Sequence, residues 1–149
     1  MIWHASVGQL RKRKLMELKD YQNTVLADLD DFLSHLNRAD SPARAFRDYW
    51  ADRHIRVDAG PKSLRAYREA VKDVPSACLK VPTAGGKTFL GLHAVHRFYR
   101  SRPMSPAKVV VWLVPSLAIL DQTLKNFRNA EHPYRQKWDA LFQGRVQIL

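Results

Sequence analysis

The stretch KVPTAGGKTF, residues 80–89, places two adjacent glycines and a lysine between a predicted strand and a predicted helix. The strand is the short apolar run at residues 77–81, and the helix is expected over residues 88–99, where apolar residues recur at helical spacing. Small residues at such a junction let backbone N–H groups converge on an anion at the helix start. We call residues 82–88 the glycine loop.

The glycine loop has the residue types that nucleotide binding needs. Gly85 and Gly86 are the small residues, Lys87 can reach outer phosphates, and the Thr88 hydroxyl can bind Mg²⁺. Val81, however, stands where the general pattern G-x-x-x-x-G-K-[ST] has its first glycine. Two interpretations remain at this point: a phosphate-binding loop, or a glycine-containing strand-to-helix turn with a solvated lysine.

Length and composition are those of a globular protein. The 149 residues fit one domain or the front part of a larger one, with 46% hydrophobic and 26% charged residues. The formal net charge of +11 is uneven: residues 1–75 hold 14 Lys/Arg and 11 Asp/Glu, whereas residues 76–149 hold 11 and 3. This surplus favours polyanionic partners, although a basic, soluble surface explains it equally well.

Nothing in the sequence predicts a membrane partner or export. No apolar run approaches the roughly 20 residues that a membrane helix needs. The N-terminus lacks the basic-then-apolar pattern of a signal peptide. The single cysteine, Cys78, cannot form an internal disulfide, which is typical of a reducing compartment. We therefore expect a cytoplasmic protein.

Helical patterns fill the first half of the chain. Apolar residues between positions 18 and 36 recur at i, i+3, i+4 and i+7, which predicts a long helix. Ser41 as N-cap and Pro42 as first helical residue predict a second helix. A third is expected over about residues 63–72, ending before Pro75.

Strands and helices alternate in the second half. Residues 108–115 are apolar and β-branched, as in a buried parallel strand. A helix capped by Ser116 should follow, then a helix from Pro133 to Phe142 and a strand at residues 145–149. This order predicts an α/β fold with a parallel sheet and right-handed crossovers.

Residues 82–88, PTAGGKT, resemble motif I of superfamily 2 helicases and translocases, where Pro-Thr-Gly-x-Gly-Lys-Thr is common. That family usually lacks the first Walker glycine, which explains Val81. Ala84 departs from the family pattern, and if its φ must be positive, alanine costs on the order of 1 kcal/mol. The resemblance implies binding of ATP and Mg²⁺. Lys87 and Thr88 would be the catalytic pair, Thr88 the metal ligand, and the residues binding ATP would be Thr83, Ala84, Gly85, Gly86, Lys87 and Thr88.

An upstream element supports the resemblance. LKDYQ, residues 18–22, resembles the L-x-x-Y-Q element that precedes motif I, which implies that Gln22 reads adenine. An amide suits this role because it donates and accepts at once, although a lone glutamine is as easily explained as a solvated side chain. Gln22 lies 65 residues before Lys87, a long separation for the family. Residues from about 38 to 74 would therefore hold inserted helices.

A downstream element completes the resemblance. VWLVPSLAILDQT, residues 111–123, resembles motif Ia, which implies that Pro115 and Ser116 lie near the nucleic-acid backbone. A free helix N-terminus can receive a phosphate, although an ordinary serine cap gives the same pattern. The three elements together are most similar to the type III restriction enzyme helicase subunit. That family implies double-stranded DNA and a restriction-modification subunit as partners.

The resemblance implies an incomplete RecA-like P-loop domain with a parallel sheet, preceded by a helical segment. Residues 1–74 would be the helical segment and residues 75–149 the first part of the ATP-binding domain. The acidic Asp-Glu-x-His motif that hydrolysis needs is absent, so we expect the N-terminal part of an ATP-dependent helicase or translocase that does not hydrolyse ATP alone.

Two alternatives and one minor candidate remain. A P-loop kinase or other transferase would use the same loop without depending on Gln22. A non-enzymatic, basic nucleic-acid-binding module would use Lys87 as one charge among many. His93 and His96 lie three residues apart without carboxylate or cysteine companions, so we expect no metal site there.

Overall fold

Five α-helices carry the described part of the chain, residues 15–102 and 108–149, in this computed structural model. α1 packs against both α2 and α3, α3 packs against α5, and α5 packs against α4. This arrangement places α3, which follows the glycine loop, in the middle of the helices. The helices are α1 (Asp20–Arg38), α2 (Pro42–Ala51), α3 (Lys87–Ser101), α4 (Leu117–Arg128) and α5 (Pro133–Phe142).

Side-chain caps begin three of the helices. The Ser41 Oγ accepts the backbone N–H three residues later at 3.3 Å, and the Ser116 Oγ does the same at 3.4 Å. At α5, His132 Nδ1 accepts a backbone N–H at 3.2 Å and Pro133 takes the first helical position. These groups satisfy N–H donors that the helix itself leaves unpaired. The predicted starts of α2, α4 and α5 are confirmed.

The α1–α2 pair has its own apolar cluster. Phe32 of α1 packs edge-on against the Tyr49 ring of α2 with 5.6 Å between centroids, and Ala45 is fully buried beside them. The Arg53 guanidinium lies 3.7 Å from the Tyr49 ring centroid and pairs with Asp31 of α1 at 2.8 Å. An aromatic contact and an ion pair thus hold the second helix against the first.

A second cluster joins α3, α4 and α5. The Trp112 ring packs against it, edge-on to Phe127 at 5.6 Å. Gly91 makes this approach possible, since a Cβ there would lie 2.6 Å from a Trp112 ring atom. The buried members of the cluster are Phe89, Leu92, Phe127 and Trp138.

Polar contacts fix α1 along α3. Arg97 of α3 forms an ion pair with Asp30 of α1. Further along both helices, the Asn37 Nδ2 donates to the Ser101 carbonyl at 3.2 Å. Because the contacts advance in the same direction on both helices, α1 and α3 run parallel, and their N-terminal ends lie at the same side of the molecule.

The helix expected over residues 63–72 is wrong. Leu64 instead pairs with Val57 in an isolated parallel bridge, and the Tyr67 hydroxyl donates to the Ser76 carbonyl at 3.1 Å. Tyr67 packs on Phe46 with 5.4 Å between ring centroids, but Leu64 and Val71 are 37% and 62% exposed. A helix of ten residues is marginal without a buried face, so tertiary contacts decide against it. One of the two predicted inserted helices, α2, is present.

The three expected strands are likewise not strands in the described residues, and the parallel sheet is not shown. Along residues 108–115 exposure alternates: Val109, Val111 and Leu113 are exposed, whereas Trp112 packs inward. The segment therefore keeps the period of a strand but has one open face. A segment forms a strand only when it exchanges backbone hydrogen bonds with a neighbouring segment. In the described residues, neither residues 77–81 nor residues 145–149 pair with it in this way.

Of the predicted helical segment at residues 1–74, residues 1–14 lie outside the described part. The remainder holds α1, α2 and a long connection to the glycine loop. In the part of the chain that the structure describes, no helix has the length and apolar character needed to cross a membrane.

His93 of α3 is buried without a hydrogen-bond partner for its Nε2 atom. Its ring packs edge-on against Phe89, 4.9 Å between centroids. Burial, followed by the positive charges of Lys137 and Arg97 and the neighbouring His96, lowers the pKa of His93 from 6.5 to about 4. The imidazole is therefore neutral in the folded protein above that pH.

This lowered pKa predicts acid sensitivity. Between pH 6.5 and 4 the unfolded chain binds a proton at His93 that the folded chain does not, so the free energy of unfolding should fall as pH drops through this window. The full shift corresponds to roughly 3 kcal/mol at most. Urea unfolding of His93→Leu at pH 7.5 and 5 should show a smaller loss than the parent chain. The exposed His54→Asn is the control, and equal losses in all three proteins would contradict the prediction.

Candidate functional site

The glycine loop turns sharply into α3. The Gly85 N–H donates to the Pro82 carbonyl at 3.0 Å, which closes a four-residue turn. Ala84 has a φ of +61° and Gly86, the N-cap of α3, a φ of +67°. Ala84 therefore has the positive φ that was considered for this position, and alanine there costs on the order of 1 kcal/mol.

Two side chains of α1 hold the middle of the loop. The Tyr21 hydroxyl donates to the Gly85 carbonyl at 2.7 Å, and the Gln22 Nε2 donates to the same oxygen at 3.1 Å. These bonds cross 64 and 63 residues of sequence. The structure thus brings together the two elements that the sequence predicted to share a site.

Gln22 is fixed at both ends of its amide. Its Oε1 accepts the backbone N–H of Lys19, the N-cap of α1, at 3.0 Å, while its Nε2 holds the Gly85 carbonyl. This is the returning half of a capping box. The side chain is only 4% exposed. The residue predicted to read adenine is therefore also a structural link between α1 and the glycine loop.

The start of α3 leaves its N–H groups open. Unlike α2, α4 and α5, α3 has no side chain bonded to its first turn. Among residues 15–102 and 108–149, no acceptor takes the N–H of Gly86, Lys87 or Thr88. Unpaired N–H groups and the positive end of the helix dipole together attract an anion.

The Lys87 side chain closes back onto its own loop. The residue is exposed, and its Nζ donates to the Pro82 carbonyl at 2.9 Å. In the described residues it takes part in no ion pair. A neutral carbonyl is a weaker partner for an ammonium group than an anionic oxygen, so the cation is available to an incoming phosphate.

Pro115 and Ser116 lie at the start of α4 and are exposed. The Ser116 Oγ is already used as the cap of α4. Within the described ranges, no hydrogen bond or ion pair joins this helix start to the glycine loop. The role of Pro115 and Ser116 in binding nucleic acid stays a prediction.

Sequence reasoning missed two groups of the site. Tyr21 belonged to the apolar stripe of the first predicted helix, yet its hydroxyl makes the shorter bond to the loop. The residue is 38% exposed, and no pattern in the sequence indicates that its hydroxyl reaches the loop. Pro82 contributes a backbone carbonyl that accepts both Gly85 and Lys87, and no side-chain pattern reveals such a role.

Metal ligands of the usual clustered kind do not occur near the loop. Across the described residues, no group of three or more His, Cys, Asp or Glu side chains is placed to hold a metal ion. His93 and His96 instead make ring contacts, with Phe89 at 4.9 Å and with Phe142 at 5.4 Å.

A family match connects this geometry to known proteins. The model of the family ResIII, described as type III restriction enzyme, res subunit, matches residues 15–148. The chain belongs to this family. The matched range of the res subunit family includes both α1 side chains at the loop, the whole glycine loop and the start of α4. No curated protein and no solved structure shows significant similarity to the chain.

Gly86 gives a test of the contact between α1 and the loop. A Cβ at Gly86 would lie 2.8 Å from the Gln22 Nε2, whereas one at Gly144, whose φ of +70° is nearly the same, would meet nothing within 4 Å. Both alanine variants should lose about 1 kcal/mol from the positive φ. Gly86→Ala should lose about 1 kcal/mol more, because the Gln22 bond must give way. Urea unfolding measures both, and equal costs would contradict the contact.

Proposed function

We propose that this member of the res subunit family binds ATP through the glycine loop and forms the ATP-binding part of a DNA helicase or translocase. The observation that supports the proposal most is the shared Gly85 carbonyl. Tyr21 and Gln22, from the element expected to recognise the nucleotide, fasten directly onto the loop expected to hold its phosphates. A glycine-containing turn with a solvated lysine does not require this fastening.

The phosphates would bind at the open start of α3. The unpaired N–H groups of Gly86, Lys87 and Thr88 would receive phosphate oxygens, and the Lys87 ammonium would leave the Pro82 carbonyl for the β- and γ-phosphates. The Gly85 N–H donates to the Pro82 carbonyl. While that turn stays closed, Gly85 contributes no N–H to the phosphates.

Mg²⁺ fits this site only together with the nucleotide. Thr88, in the first turn of α3, would offer its hydroxyl, and phosphate oxygens and water would supply further ligands. Bound there, Mg²⁺ would neutralise charge on the outer phosphates. The lack of a carboxylate or histidine cluster in the described residues agrees with a metal that arrives with its ligand.

Adenine recognition would use the hydrogen-bonding groups of the Gln22 amide that are not bonded to Gly85 or Lys19. An amide carries two donors and two acceptor lone pairs, and the bonds to Gly85 and Lys19 use one of each. One donor and one acceptor remain by this count, but the side chain is only 4% exposed, so reading a base edge would require Gln22 to turn out from between α1 and the loop.

The DNA would contact the start of α4. The start of α4 at Ser116 exposes a helix N-terminus, and residues 76–149 carry 11 Lys/Arg against 3 Asp/Glu. We propose double-stranded DNA as the nucleic acid and a restriction-modification subunit as partner, both on the strength of family membership. A RecA-like fold, with residues 77–81, 108–115 and 145–149 as strands of its sheet, belongs to the same proposal. No hydrolytic step is assigned to these residues, because the sequence contains no Asp-Glu-x-His motif.

Removing the lysine tests ATP binding. Lys87→Ala should weaken binding of Mg²⁺-ATP about 10- to 100-fold, because charge-assisted hydrogen bonds to the phosphates are lost. Isothermal titration of the 149-residue chain measures this, with Lys125→Ala on the exposed side of α4 as the control. Unchanged binding in Lys87→Ala would remove the proposed function.

Removing the amide tests adenine recognition. Gln22→Ala should weaken both ATP and GTP because the loop loses one tether, and it should also move the ratio of the two affinities towards one. Competition of both nucleotides against a fluorescent ATP analogue gives the ratio. A preference for ATP that survives in Gln22→Ala would end the adenine role and favour a P-loop kinase or transferase.

A further inference from the structure

The direction of one peptide group decides whether the loop can receive a phosphate. The peptide between Gly85 and Gly86 is planar and trans, so the Gly85 carbonyl and the Gly86 N–H point in opposite directions. The carbonyl points at α1, where Tyr21 and Gln22 both donate to it. The Gly86 N–H must therefore point away from α1, to the side where the start of α3 is open.

Two donors hold this carbonyl. The Tyr21 hydroxyl lies 2.7 Å from the oxygen on a rigid ring that is 38% exposed, and the Gln22 Nε2 lies 3.1 Å away on a side chain that is 4% exposed. Gln22 is also tied to Lys19. Without the hydroxyl, the glycine peptide would keep one longer bond. Both residues of that peptide are glycines, so side chains offer little resistance to its rotation.

The geometry points to Tyr21 as a positioning residue for phosphate binding: its hydroxyl holds the Gly85–Gly86 peptide in the orientation that presents the Gly86 N–H to the ligand. Tyr21 touches no phosphate in this arrangement and acts only through the backbone. The inference deepens the proposed function and rests on it, since it concerns the same phosphate site.

Tyr21→Phe removes the hydroxyl and leaves the ring. Because the glycine peptide loses one of its two hydrogen bonds to α1, affinity for Mg²⁺-ATP should fall about three- to tenfold. Inorganic tripolyphosphate, used as a second probe, should lose affinity by the same factor because the effect concerns phosphates alone. The ratio of ATP to GTP affinity should stay as in the parent chain.

Tyr99 of α3 provides a matched control. The Tyr99 hydroxyl also donates to a backbone carbonyl, that of Val109, at 2.8 Å, but at the other end of α3. Tyr99→Phe should leave both affinities unchanged. Thermal unfolding of the two variants should be similar, which separates positioning of the loop from a general loss of stability.

Two further measurements report on the orientation of the Gly85–Gly86 peptide itself. The ¹H–¹⁵N resonance of Gly86 should shift in ligand-free Tyr21→Phe and stay in place in Tyr99→Phe. Replacing Tyr21 with 4-aminophenylalanine, which puts an N–H donor at the same point of the ring, should restore at least half of the lost affinity. A structural role of the ring alone would show neither effect.

The outcomes separate the two proposals. If Lys87→Ala binds ATP as the parent chain does, or the parent chain binds none, the proposed function fails and the role of Tyr21 fails with it. If Lys87→Ala loses binding while Tyr21→Phe binds like Tyr99→Phe, only the positioning role is overturned. A loss in Tyr21→Phe that 4-aminophenylalanine does not reverse, or a Gly86 resonance that does not move, overturns it as well.

Discussion

The carbonyl of Gly85 is the point on which the arrangement of the site depends. It accepts hydrogen bonds from Tyr21 and Gln22 of α1, and through its planar peptide it sets the direction of the Gly86 N–H. The shape of the loop is thus fixed by a helix that lies more than sixty residues earlier in the chain. That helix is held along α3 by an ion pair between Arg97 and Asp30 and by a hydrogen bond between Asn37 and Ser101. The geometry of the loop therefore depends on the packing of α1 against α3. A change that shifts α1 relative to α3 would alter the shape of the glycine loop even if no loop residue were changed.

The parts of the structure that the sequence predicts correctly are those whose causes are local. The starts of α2 and α4 follow from Ser41 and Ser116, whose hydroxyls accept N–H groups within the same turn. α5 follows from Pro133, which is preset for the first helical position. The turn from the glycine loop into α3 follows from Gly85 and Gly86 for the same reason, whereas the binding role of these residues stays a prediction. Even the cost attached to Ala84 could be foreseen, since it needed only the sign of one φ angle.

The predicted helix that is wrong and the predicted strands that are not shown both depend on distant partners. Residues 63–72 have a helical pattern, but Leu64 and Val71 stay exposed, and the side chain of Tyr67 packs on Phe46 and bonds to Ser76. Residues 108–115 have the composition of a buried strand, yet Val109, Val111 and Leu113 stay open because no neighbouring segment pairs with them in the described residues. At the site itself, the Tyr21 hydroxyl and the Pro82 carbonyl escaped notice for a related reason. Each acts through a hydrogen bond to the loop, and a one-dimensional pattern records neither the distance nor the direction of such a bond.

The Pro82 carbonyl explains how the loop can keep its shape while its lysine moves. It accepts two donors, the Gly85 N–H at 3.0 Å and the Lys87 Nζ at 2.9 Å. Under the proposed function only the second donor leaves when a triphosphate arrives, because an anionic oxygen is the stronger partner for an ammonium group. The first remains and keeps the turn closed, and the Gly85 carbonyl remains on α1. Binding then asks for the rotation of one exposed side chain and not for a rebuilt backbone, so little conformational entropy has to be lost at the moment of binding. The positive φ of Ala84 belongs to the same turn, which holds Gly85 and Gly86 in place.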